Sequence, residues 1–296
     1  MNRAIDRSST LSWIAASILA AMVLITLNMS TAYAGISATK HNLGTTGAAG
    51  NNHLTAGTGE ICVFCHTPHG ADTAAPAPLW NKALPASTSY TTYAQLGTTT
   101  LEAAQANIGS VSLACLSCHD GTQAMDNMIN APGSGGYTPG GARLAGATWT
   151  GANVDAATGR LVAGVITNIG TDLRNDHPIS IQYCGGGIDA TGVTATVGTK
   201  PATTCNDRDF HDLQAVTING APVFWVDTTA AGGTTGRRDK SDMILYTRAA
   251  GDFGTGSLAQ PSVECASCHD PHTDTNPTFL RVSNTGSGVC LSCHVK

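Results

Sequence analysis

Cysteine and histidine recur in one order along this chain: Cys62-Val63-Phe64-Cys65-His66, Cys115-Leu116-Ser117-Cys118-His119, Cys265-Ala266-Ser267-Cys268-His269 and Cys290-Leu291-Ser292-Cys293-His294. A C-x-x-C pair can be a redox dithiol, half of a zinc site, or, when His follows at once, the attachment point of a c-type haem. A dithiol does not require that histidine. A zinc ribbon does not require it either, because four thiolates already close the tetrahedron. Haem attachment does: two thioethers hold the porphyrin's vinyl groups, and the adjacent imidazole reaches the iron from the same side. Cys62, Cys65, Cys115, Cys118, Cys265, Cys268, Cys290 and Cys293 are therefore expected to hold four haem c groups, with His66, His119, His269 and His294 as proximal iron ligands.

Haem iron takes two axial ligands, and their identity separates electron transfer from catalysis. The chain has 10 histidines, so His41, His53, His69, His177, His211 and His272 remain after the proximal four. Supply exceeds demand, which favours bis-histidine irons with no open position. His69 and His272 each stand three residues after a proximal histidine, in CHTPH and CHDPH. Neither can reach round to the far face of its neighbour's iron, so either would have to bind a different haem. Met125, Met128 and Met243 are read as packing residues, since histidine is plentiful.

Around these motifs the chain is poor in ordinary core material. Only 5% of residues are aromatic and 12% charged, with 34 glycines. Haem faces are expected to supply the missing apolar bulk. The net charge of −5 gives no reason to expect nucleic acid as a partner. Residues 1–34 read as a signal peptide: Arg3 and Arg7 precede an apolar run from Trp13 to Leu27, and Ala32-Tyr33-Ala34 fits a small-x-small cleavage site. No membrane span is expected once it is removed. Cys184 and Cys205 lie outside the signatures and are expected to form a disulfide in an exported chain.

Residues 35–135 form a first dihaem half, 136–260 a β- and loop-rich insertion carrying His177 and the disulfide, and 261–296 the second dihaem pair. Within the insertion, LVAGVITNI (161–169), ISIQYC (179–184) and VTATVGT (193–199) read as short strands. AVTINGAPVFWV (215–226) reads as a hairpin turning at Asn219-Gly220. Helical turns are expected around Leu101–Asn107 and at the two CLSCH segments, and coil elsewhere.

The four motifs also alternate. An extended C-x-x-C-H-x-P-H precedes a plain CLSCH in each half, and two histidines lie upstream each time: His41 and His53, then His177 and His211. That order, given twice, suggests a duplication. With ISATKHNL (36–43) and NDHPIS (175–180), it resembles the doubled C-x-x-C-H multihaem c-type cytochromes, and more narrowly the tetrahaem outer-surface cytochromes that polymerise into extracellular filaments. The resemblance implies a mostly coil multihaem fold with few short helices and stacked haems for a core. It implies His41, His69, His177 and His272 as distal ligands, with His53 and His211 as alternates. It also implies a homopolymer joined by haem stacking between subunits, in which an N-terminal histidine, His41 or His53, ligates a neighbour's iron. Electrons would pass to other redox proteins or extracellular acceptors, outside the cell or at its surface. Two other readings stand beside it: a monomeric periplasmic tetrahaem shuttle, and a multihaem reductase with one open iron. The histidine surplus speaks against an enzyme.

Overall fold

The computed structural model describes residues 35–133, 135–186, 205–228, 238–254 and 259–295. The leader at 1–34 and the segment 193–199 lie outside them. Residues 35–296 form one compact unit. Among the described residues coil and turns dominate, with small sheets and three short α-helices: α1 (Ser110–His119), α2 (Cys265–Cys268) and α3 (Gly288–Leu291). Each helix runs into or through a C-x-x-C signature.

Two antiparallel pairs serve the first half. β1 (His53–Ala56) pairs with β4 (Thr148–Thr150), and β2 (Asn127–Asn130) with β3 (Tyr137–Arg143). Leu54, Val63, Phe64, Met125, Met128 and Trp149 bury together between them, and Cys65 and Cys118 lean on this cluster. The first two signatures are thus anchored to one apolar core. Lys82 is fully buried, and its Nζ donates to the carbonyls of Ala124, Met125 and Asn127 at 3.1, 3.1 and 2.8 Å.

The other half is built on a five-stranded antiparallel sheet in the order β5-β9-β8-β7-β6. These are β5 (Ile181–Gln182), β6 (Gln214–Ile218), β7 (Ala221–Val226), β8 (Met243–Arg248) and β9 (Gln260–Val263). β6 and β7 form the expected hairpin, with Ile218 opposite Ala221. Asn219 and Gly220 have φ of 51° and 79°, the positive values that a tight hairpin turn of this kind requires. Alternate side chains of β6–β8 (Ala215, Phe224, Val226, Met243 and Leu245) bury with Tyr183 and the Cys184–Cys205 disulfide, whose Cα atoms are 5.3 Å apart. Cys268, Val289 and Cys293 pack against that core. Met125, Met128 and Met243 are buried, as packing residues should be.

Two local expectations are corrected. Leu101–Asn107 is not helical, because its backbone is spent on the neighbouring chain: Ala106 N–H donates to Ser180 O, and Ala104 O accepts from Gln182 N–H. Residues 161–169 form turns rather than a strand. Gly164 takes φ 79°, Asn168 N–H closes a turn on Val165 O, and Ile166 is 94% exposed. Only Leu161 bridges, to Val154.

Candidate haem sites

α1 carries the second signature and is buried on nearly all sides: Ser112, Leu113, Ala114, Leu116 and Ser117 are inaccessible. Gly121, with φ 71°, ends it in the left-handed conformation, and a Cβ there would sit 2.5 Å from Asn168. Glu264 caps α2, and its carboxylate accepts from Ser112 Oγ at 2.6 Å and Ser180 Oγ at 3.0 Å. One buried carboxylate therefore fastens the second signature to the third.

The first and third signatures share a local fold. Cys65 O accepts from Asn81 N–H and Thr67 N–H donates to Leu79 O, while Cys268 O accepts from Arg281 N–H and Asp270 N–H donates to Phe279 O. His66 bridges Trp80 as His269 bridges Leu280. Leu79 and Phe279 both take positive φ, 54° and 62°. The duplication suspected from motif order is thus visible in the backbone, with a shorter return loop in the second copy.

Each loop supplies an acceptor to the histidine of its signature. His66 Nδ1 lies 2.6 Å from Pro78 O, and His269 Nδ1 lies 2.8 Å from Thr278 O. His119 Nδ1 lies 2.8 Å from Thr167 O, and His41 Nδ1 lies 3.2 Å from Pro271 O. A carbonyl on Nδ1 fixes the tautomer with its lone pair on Nε2, as metal-binding histidines require.

Two pairs of rings then face each other. His66 and His272 have ring centres 6.2 Å apart and planes inclined by 16°. His41 and His119 are 6.1 Å apart, inclined by 65°. Two imidazoles on one metal sit with centres roughly 6 Å apart, given ~2 Å per metal–nitrogen bond and a ring radius just over ~1 Å. Burial first, and then the charge of His119, lowers His41 to about 4, and burial also lowers His119. Both rings are therefore neutral near pH 7 and fit to ligate.

Four of the signature cysteines, Cys65, Cys115, Cys268 and Cys293, are pushed towards the thiol and away from thiolate chemistry. Burial raises Cys65 to about 12, helped by the nearby Cys118, and raises Cys293 to about 12, helped by Cys268. Cys115 donates to Cys265, which raises the first and lowers the second. Thiols held protonated are poor zinc ligands and poor redox dithiols. Among the described residues no three His, Cys, Asp or Glu converge as a zinc site needs. Trp80 Nε1 and Thr167 Oγ1 are buried donors with no partner among the described residues, beside His66 and beside the carbonyl that holds His119. Such orphaned donors fit a large polar-edged group at these positions.

Residues 260–296 match the family model described as the doubled CXXCH motif. These two signatures are haem c attachment motifs. The match supports a multihaem c-type cytochrome, an electron-transfer protein, and it spans the third and fourth signatures. No curated protein matches the chain. Among the described residues no helix is long and apolar enough to cross a membrane.

The remaining histidines are distributed differently. His41, a candidate for a role between subunits, faces His119 of its own chain. His69 and His177 are exposed, and neither makes a ring contact with another histidine among the described residues. His211 N–H donates to Cys293 O, beside the fourth signature, where Phe210 lies 4.2 Å from the His294 ring. His53 is half-buried, with Nδ1 3.0 Å from Asn51 O. The backbone carbonyls that orient the proximal rings, and Phe279 stacked on His41, have no signature in sequence.

Proposed function

We propose that this chain is a tetrahaem cytochrome that conducts electrons along bis-histidine irons and assembles into an extracellular filament. The observation that carries the reading is the pair of facing imidazoles, His66 with His272 and His41 with His119, at a separation one shared iron would need. When bound, haem iron supplies one-electron exchange. The chain's residues hold the porphyrin through Cys62, Cys65, Cys115, Cys118, Cys265, Cys268, Cys290 and Cys293, and saturate the metal with histidine so that no substrate coordinates.

Single-file transfer needs neighbouring sites and exposed ends. Cys65 adjoins Cys118, Cys115 adjoins Cys265 and Cys268 adjoins Cys293, so consecutive signatures lie side by side. Cys62 and Cys290, one in the first and one in the last signature of the series, are the exposed ones. Those ends are where electrons would enter and leave, or where a second copy would continue the series. With His41 turned to His119, the ligand donated between subunits in such a filament falls to His53. One of His69, His177 and His211 then fills the distal position left on the irons of His269 and His294.

Electron microscopy of the secreted fraction tests assembly: filaments are expected, and dispersed monomers would favour the periplasmic shuttle. Carbon monoxide added to the reduced protein tests saturation. An unchanged spectrum is expected, whereas a bound adduct would favour a reductase.

A further inference from the structure

The loop after the third signature reaches well beyond its own haem site. His269 is its proximal ligand. His272, three residues on, faces His66 of the first signature at 6.2 Å. Pro271 O takes the Nδ1 of His41, which faces His119 of the second signature. Phe279, at the far end of the same loop, lies flat on His41, with ring centres 4.3 Å apart and planes 11° from parallel. One loop thus touches the imidazoles of three sites.

Phe279 stands in an unfavourable conformation to do so. Its φ is 62°, and Thr278 before it has 58°. Bulky side chains avoid the left-handed region, and strain of this kind persists where the surroundings or the function demand it. The strained pair puts Thr278 O on His269 and the Phe279 ring on His41. In the first copy of the loop the equivalent position is Leu79, also left-handed, which is exposed and has no flat face to offer.

We propose that Phe279 is a positioning residue for the haem iron between His41 and His119: its ring and Pro271 O together fix the plane of His41. The inference rests on the bis-histidine reading. Its physical content is the 65° inclination between His41 and His119, against 16° between His66 and His272. The angle between axial imidazole planes governs the anisotropy of a low-spin ferric signal. Steeply inclined planes give a strongly anisotropic spectrum and near-parallel planes an ordinary rhombic one, so the two irons are distinguishable in one sample.

The test compares electron paramagnetic resonance spectra of the mature haem-loaded protein with Phe279→Leu, Phe279→Gly and Phe279→Tyr, each with haem content measured. Leu keeps apolar bulk without the flat face, and Gly relieves the backbone. Both are expected to retain full haem content, to shift or broaden the strongly anisotropic component and to leave the rhombic one intact. Tyr should restore the wild-type spectrum. Gly should also melt above Leu, opposite in sign to its spectral loss. The proposal is overturned if Leu and Gly give the wild-type spectrum, if the rhombic signal moves instead, or if haem is lost in proportion to the spectral change. High-spin iron in the wild type would overturn the bis-histidine reading itself, which no variant result can mimic.

Discussion

His272 faces His66 across 6.2 Å although 206 positions separate them in the chain, and three residues from His272 stands His269, the histidine of the third signature. A single tripeptide step thus ties the first signature to the third. Replacing His272 should open the iron at Cys62 and Cys65, not the one at Cys265 and Cys268. In His272→Ala, carbon monoxide is expected to bind one haem, and that adduct should vanish when Cys62 and Cys65 are replaced as well, which leaves the first signature without haem. Binding at the third would separate the two sites.

Lys82 holds three backbone carbonyls in a position with 0% exposure. Lys82→Met preserves the apolar stem but strands those acceptors, at a cost of about 3 kcal/mol. Denaturant unfolding should show that loss. A change within about 0.5 kcal/mol would mean the carbonyls find other donors.

Glu264 gives a pH dependence with a definite sign. Burial raises its carboxyl above 4.5, partly opposed by hydrogen bonds from Ser112 and by Arg248, whose Nη1 is 3.5 Å away. A raised value means the folded chain holds the proton longer than the unfolded one. The stability it contributes is complete below pH 4.5 and is lost as pH rises through the folded value. Calorimetric melts from pH 4.5 to 7 should therefore show Glu264→Gln gaining relative to wild type as pH increases. A relative loss over that range would mean the carboxyl is lowered by its serine donors.

The disulfide between Cys184 and Cys205 closes a loop with a sequence separation of 21 and sits in the core beside Cys268 and Cys293. Replacing both cysteines by serine should cost roughly 3 kcal/mol. Because Tyr183 Oη donates to His211 O, the same change should loosen the fourth signature before the first. Hydrogen exchange resolved by peptide checks that order.

Cys62 through His294 announced their chemistry because thioether attachment demands a fixed covalent spacing. The hairpin at Asn219-Gly220 was legible for a related reason, since few residues tolerate two positive φ values in succession. Leu101–Asn107 misled because helix propensity is weak against a tertiary ladder, here the one with residues 180–182. β8, β9 and the pairing of β1 with β4 went unread, since their partners lie far along the chain and short strands carry little local signal. The match of His41 with His119 needed three dimensions: nothing in either neighbourhood names the other.

The most direct measurement is haem content per chain together with the spin state of the ferric protein. Four haems with wholly low-spin iron are expected, from four signatures and a surplus of histidine. Fewer than four haems, or a high-spin ferric signal in the intact protein, would contradict the account.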